Sequence, residues 1–394
     1  MRDTSSKKLR HALALAAVTA LGPVVTTGCK EKPPPPPTAE ENAQHAEGLY
    51  LQASSLVLQG EYAKAQAAYE EMKALAPEDP RLPAAMGELF LNQGRLRDAL
   101  PHFEEAAKRD PKRGTNWSRV GFIKAQLGEY EAAREALERA IALNASDFNA
   151  LEALGELALK SGDLAGAVTQ LEKAGDASPN ETLASSHYVR AAKVLEEGGR
   201  GDDARALLER AVEKGRADGT ALVELGELHV RARRFPEAAR VLSDAAAKTP
   251  DDPSIWEMVG ELQVAMGRHD DALASFEQSL KVKERALVHL AVARLHKTRG
   301  DLPKAQEALE RALTSATGEE EREGLELARA LVEFGRPADA LRLYDVLSKE
   351  PDRAGDVALQ LEVARVARAA GQTAVEAEAC GRARAAQPGL NRCP

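Results

Sequence analysis

The sequence predicts an all-α solenoid of about ten helical hairpins, and three observations lead there. The first is composition. Of 394 residues, 44% are apolar and 29% charged, but only 4% are aromatic. That is poor material for one large globular core, where Phe, Tyr and Trp usually carry much of the burial. The abundant Ala, Leu, Glu and Arg are strong helix formers, while 29 Gly and 20 Pro exclude one continuous coiled coil. The second observation is a pattern that returns every 34 residues. The third is that small residues keep fixed places within it. A net charge of −9 speaks against a nucleic-acid binder, which needs a basic face.

Taken in chain order, residues 1–28 read as an address. Arg2, Lys7, Lys8 and Arg10 form a basic start, and an apolar run from Ala12 to Val25 follows, broken by Gly22 and Pro23. A membrane span needs about 20 apolar residues, so this run fits a secretory signal peptide instead. It ends in Thr26-Thr27-Gly28-Cys29, which resembles the bacterial lipobox, with Thr26 in place of the usual Leu. The resemblance implies that Cys29 is lipidated and becomes the mature N-terminus. Lys30 after it, rather than Asp, implies transport to the outer membrane. Removing 1–28 takes away a net charge of +3, so −9 becomes −12. Such a chain is repelled by anionic lipid, and acyl chains would have to hold it there. Pro33 to Pro37 predict a stiff extended spacer within a linker over 29–45.

The repeating body follows. Gly94, Leu96, Ala99, Phe103, Ala106 and Pro111 reappear 34 residues on as Gly128, Tyr130, Ala133, Leu137 and Ala140. A further 34 gives Gly162, Leu164, Ala167, Leu171, Ala174 and Pro179, and 34 back gives Gly60, Tyr62, Ala65, Tyr69, Met72 and Pro77. Trp117, Val120 and Gly121 precede Gly128 at the spacing of Trp256, Val259 and Gly260 before Gly267. The register slips by three residues after Glu181 and contracts by one before Gly300. This pattern resembles the tetratricopeptide repeat, over about 46–388. The resemblance implies a right-handed superhelix with units near 46–79, 80–113, 114–147, 148–181, 185–218, 219–252, 253–285, 286–319, 321–354 and a degenerate 357–388, then a tail over 389–394. Small residues such as Gly121 and Ala133 let two helices approach closely. The glycine between the helices stops the first one. No unit buries its own apolar face alone, so units stack.

Catalytic signatures are not found: no phosphate loop with Lys-Ser/Thr, no H-E-x-x-H, no G-x-S-x-G. Eight histidines are scattered, and His229, His289 and His296 read as packing substitutions rather than metal ligands. No cofactor, metal, nucleic acid or small-molecule substrate is expected, and no enzyme. Cys380 and Cys393 are the two cysteines beyond Cys29. In an exported chain such a pair tends to oxidise, which predicts a bridge pinning the tail.

The family resemblance further implies that the first helix of each unit lines a concave groove that holds partner segments. One inward position then reads Ser54, Glu88, Phe122, Glu156, Lys193, Glu227, Glu261, Arg294, Arg329 and Arg365. Neighbouring positions add Glu152 and Glu257 to the acidic middle, and Arg322 and Arg368 to the basic end. The expectation is a bipolar groove in a lipid-anchored scaffold that faces the periplasm and recruits other envelope proteins. Narrower readings are a pilotin-like assembly factor for a pilus or secretion system, and a regulator of peptidoglycan enzymes.

Overall fold

A computed structural model describes residues 38–316, 321–348, 353, 355–390 and 393. Cys29, the residues before it and Pro33 to Pro37 lie outside the described residues. Twenty helices and no strand occur among those described, in ten hairpins. They run α1 (Ala39–Leu58) with α2 (Tyr62–Leu75), α3 (Leu82–Asn92) with α4 (Leu96–Arg109), and α5 (Gly114–Gln126) with α6 (Tyr130–Leu143). Next come α7 (Phe148–Lys160) with α8 (Leu164–Ala177), α9 (Glu181–Glu197) with α10 (Gly201–Glu213), and α11 (Gly219–Arg231) with α12 (Phe235–Lys248). The rest are α13 (Pro253–Ala265) with α14 (His269–Val282), α15 (Ala286–Thr298) with α16 (Leu302–Ser315), α17 (Glu321–Glu333) with α18 (Pro337–Ser348), and α19 (Val357–Ala369) with α20 (Thr373–Ala386). None of these helices is long and apolar enough to cross a membrane.

One expected boundary differs, and one expected slip finds its physical form. The first repeat was placed from residue 46, yet α1 begins at Ala39. The cause is local. The Thr38 hydroxyl accepts from the Glu41 amide at 3.2 Å, and the Glu41 carboxylate accepts from the Thr38 amide at 2.7 Å. This reciprocal cap fixes a helix start, so the linker is shorter than 29–45. The three-residue slip after Glu181 also has a physical form: α9 has 17 residues where α7 and α11 have 13. One extra helical turn absorbs the insertion and leaves the stacking face in phase.

The chain divides into two compact units at Leu82 and Pro83. The first holds the hairpin α1–α2. It buries Ala46, Leu49 and Ala53 against Ala65, Ala68, Tyr69 and Met72. Arg81 folds back on α1, pairing with Glu47 at 2.7 Å and lying 4.4 Å above the Tyr50 ring.

The second unit holds the other nine hairpins. Each first helix packs on its own second helix, and several also meet the first helix of the next hairpin. The small residue on the first helix makes that approach possible. A Cβ at Gly260 would lie 2.6 Å from Phe276, and one at Gly121 would lie 2.5 Å from Leu137. Both large partners are essentially buried, which stabilises each hairpin by roughly 2–3 kcal/mol per side chain. The two tryptophans tie consecutive hairpins together. Trp117 donates to the Pro111 carbonyl at 3.1 Å, and Trp256 to the Pro250 carbonyl at 3.4 Å. Asp147, Asn180, Asp218, Asp252 and Asp356 cap the first helices that follow them, each worth about 1 kcal/mol.

The turn between the two helices of a hairpin needs a left-handed residue. Glycine supplies it in nine hairpins, as at Gly128 and Gly267. In the sixth the residue is Arg233, at φ 57°.

Candidate partner-binding face

Most of the charged inward residues expected from the sequence are already compensated from within the chain. Arg119 of α5 donates to Glu88 of α3 at 2.7 Å. Arg190 of α9 meets Glu152 at 2.6 Å and also Glu156, both on α7. Lys193 lies 3.8 Å from Glu224 of α11. Arg294 of α15 pairs with Glu333 at 3.0 Å and Glu326 at 3.6 Å, both on α17. Arg329 of α17 donates twice to Glu362 of α19, at 3.0 and 3.1 Å.

One rule covers five of these contacts, all but Arg190 with Glu152 and Arg294 with Glu333. The inward residue of one hairpin faces the residue three places before the inward residue of the next. Where both are charged, their signs are opposite: Glu88 and Arg119, Glu156 and Arg190, Lys193 and Glu224, Arg294 and Glu326, Arg329 and Glu362. The compensating residues were missed in the sequence. The signal was present, because Arg119, Arg190, Glu224, Glu326 and Glu362 all precede an inward residue by three. Residues three apart share a helix face, so reading two adjacent rows together would have found them.

The pairs differ in strength. Half-exposed pairs such as Glu88–Arg119 contribute about 0–1 kcal/mol. The Arg329–Glu362 pair is two-pronged, Glu362 is only 16% exposed, and the Tyr344 hydroxyl donates to it at 2.9 Å. The Arg329 guanidinium holds the Glu362 carboxyl below the usual carboxylate range, and burial pushes the Tyr344 hydroxyl up.

Other expected residues serve structure. Glu257 accepts from Arg285 at 2.9 Å and from Ser279 at 3.0 Å, which joins α13 to α14 and to the residue just before α15. Arg368 donates to Glu376 on α20 at 2.9 Å. The side chain of Arg322 lies outside the described residues. Cys380 and Cys393 are joined, with Cα atoms 5.8 Å apart. His229 and His289 are buried, and burial lowers the His229 imidazole pKa. His187, also buried, sits 2.8 Å from the Leu183 carbonyl and 3.5 Å from Glu152. No group of three or more His, Cys, Asp or Glu among the described residues could hold a metal.

Within the second unit, four inward residues have no charge of a following hairpin facing them. Phe122 is 38% exposed. Glu227 has only its own-helix neighbour Arg231, at 3.7 Å. Glu261 and Arg365 are exposed and make no ion pair. Val264 beside Glu261 is 37% exposed and Val230 beside Glu227 half-buried, whereas Leu290 is buried.

Helical hairpins that follow one another with the same small-residue contacts define a helical-repeat protein of the kind that presents surface to other proteins. Tetratricopeptide repeat descriptions match residues 56–121, 123–182, 195–262, 259–320 and 324–345. The chain belongs to the tetratricopeptide repeat family. Such repeats support protein–protein interaction, and proteins built from them are generally non-catalytic scaffolds. Among curated relatives, TPR repeat-containing protein YpiA of Bacillus subtilis is 23% identical over 234 residues, covering 59% of this chain and 54% of that protein. Superkiller protein 3 of Schizosaccharomyces pombe is 20% identical over 234 residues, covering 56% of this chain and 17% of that protein. The chain thus spans from about a sixth to about half of these relatives' lengths. A solved structure of Pseudomonas aeruginosa pilF is 17% identical with a TM-score of 0.41, covering 52% of this chain and 92% of that one.

Proposed function

We propose that this protein is a lipid-anchored scaffold of the cell envelope that captures segments of other envelope proteins along its first-helix face and carries out no chemistry itself. The observation that carries the reading is a juxtaposition in the sequence. A short interrupted apolar run ends at Gly28-Cys29, a run of prolines follows, and the described residues after it form ten helical hairpins. An anchor, a spacer and an interaction body in that order suit a protein that presents binding surface away from a membrane. Several acyl chains on Cys29 would hold it there, at about 0.8 kcal/mol per buried CH₂.

Two measurements test it. Cells expressing the protein are fed a clickable fatty acid and fractionated. Label on the wild type, lost with release into the soluble fraction on Cys29→Ala, is the expected result. A soluble, unlabelled wild type would remove the anchor from the proposal. The tagged protein is then captured from lightly crosslinked cells. Envelope proteins crosslinked to the first helices are expected. A capture dominated by secretin or pilin subunits narrows the role to assembly, and one dominated by cell-wall enzymes narrows it to their regulation. Crosslinks confined to the second helices would overturn the face assignment.

A further inference from the structure

The pairing rule fails at one place where two hairpins in succession leave a carboxylate over. In the sixth hairpin Glu227 is inward, and the facing residue of the seventh is Met258. In the seventh Glu261 is inward, and the facing residue of the eighth is Ala291. Elsewhere in the middle of the array the facing residue supplies the missing charge. Here it is apolar, so the two carboxylates are answered by nothing on the next helix.

The fifth hairpin does not repair the deficit. Apart from Arg190 and Glu257, which are paired with Glu156 and Arg285, six charged side chains occupy this stretch: Lys193 and Glu196 on α9, Glu224, Glu227 and Arg231 on α11, and Glu261 on α13. Lys193 is taken up by Glu224. Arg231 is shared among Glu196 at 2.5 Å, Glu227 at 3.7 Å and Glu224 at 3.9 Å. Four carboxylates against two cations leave an excess of two negative charges. The crowding is visible in Glu196, whose carboxyl is pushed above its ordinary range by burial and by Glu224 and Glu227 beside it, against the pull of Arg231.

The same stretch offers apolar contact. Val230 lies one helical turn from Glu227 and Val264 one turn from Glu261, and Val223, Val230 and Met258 each pack against the buried cluster of α12 and α13. Adjacent helices in such a stack lie about 8–10 Å apart, so the two carboxylates and the two valines form neighbouring rows.

We infer that the first-helix face of the sixth and seventh hairpins takes a cationic polypeptide segment, with Arg or Lys side chains on Glu227 and Glu261 and apolar side chains on Val230 and Val264. This rests on the scaffold reading and gives it a location and a partner chemistry. Sign complementarity selects the occupant: an acidic segment would add to an existing excess of negative charge, and an uncharged one would cover two carboxylates without pairing them, which is costly. It also revises the expected bipolar groove. Arg294 and Arg329 are committed to Glu333 and Glu362, so they are not available as an acidic partner's main contacts.

The test uses purified protein and two labelled peptides of equal length, one alternating Arg and Leu and one alternating Glu and Leu, each carrying a photo-crosslinker. Binding is read by fluorescence anisotropy. The expected result is saturable binding of the Arg–Leu peptide only, weakened as ionic strength rises from about 0.05 to about 0.3 M. The double variant Glu227→Gln/Glu261→Gln should weaken it by about tenfold, which is 1.4 kcal/mol. The control Glu88→Gln/Glu156→Gln changes net charge equally, at carboxylates already paired, and should change binding less than about twofold. Equal weakening by both variants would mean diffuse attraction to an acidic protein and would overturn the site. Preference for the Glu–Leu peptide would overturn its sign. Crosslinks on first helices other than α11 and α13 would move the site while leaving the scaffold reading intact. Crosslinks only on second helices would end both.

Discussion

The ninth and tenth hairpins and the sixth and seventh use the same helix positions to opposite ends. In the former, Arg329 is held two-pronged by Glu362, the Tyr344 hydroxyl completes the cluster, and the joined Cys380 and Cys393 tie the tail to α20. In the latter, Glu227 and Glu261 face Met258 and Ala291, and the turn between α11 and α12 runs through a left-handed Arg233 instead of glycine. A charged inward residue is therefore not by itself a sign of binding. Its meaning depends on the residue opposite, on the next helix.

The largest expected effect lies at the fastened end. Cys393→Ser should lower stability by about 2–3 kcal/mol, the chain-entropy value for so short a loop. Denaturant melts with and without reductant check it, because the loss should vanish when both proteins are reduced. An equal loss under reduction would assign the effect to packing of the tail.

Next is Glu362→Ala, which leaves Arg329 unpaired and the buried Tyr344 hydroxyl without its acceptor. A loss of about 2 kcal/mol at neutral pH is expected, against less than about 0.5 kcal/mol for Glu261→Ala. Comparable losses at the two sites would erase the contrast between paired and unpaired carboxylates.

Arg233→Gly should stabilise the protein by about 1 kcal/mol, since a left-handed residue with a Cβ costs about that much. Urea titration reads the change. A destabilised variant would mean that the arginine side chain makes up for its backbone.

The smallest effect has the clearest sign. The Glu362 carboxyl is held low by Arg329, so its contribution is complete above the ordinary carboxylate range, about 4.3, and is lost as pH falls through the lowered folded value. The Glu196 carboxyl is pushed up, chiefly by burial, so acid protonates it in the folded state first and relieves crowding. Stability measured from pH 7 down to 3 should decline less steeply in Glu362→Gln than in the wild type. Glu196→Gln should cost under about 0.5 kcal/mol at pH 7. A wild-type acid decline reproduced in Glu362→Gln would discharge that carboxylate from the account.

Much of the fold was legible because the signals that set it are local and repeated. The recurring pattern, with its slips, pointed to an all-α array of helical hairpins, and the small residues Gly121 and Gly260 marked places of close helix contact. What was not legible lies between repeats. The sign order from Glu88 to Arg365 could be read, but compensation by Arg119, Arg190 or Glu362 depends on how adjacent helices are offset. That offset is fixed by packing, such as Trp117 on the Pro111 carbonyl. The start of α1 at Ala39 was missed for another reason: Thr38 and Glu41 form a cap just outside the repeating pattern, where periodicity gives no guidance.

The opposite-sign rule also decides how such a gene can grow. In-frame duplication of the ninth repeat would set Arg329 against a second Glu326, an attractive junction already used between Arg294 and Glu326. Duplication of the fifth would set Lys193 against a second Arg190, a repulsive one. Unequal recombination would therefore be tolerated at some seams and rejected at others, so the order of the repeats records a constraint that their similar shapes conceal.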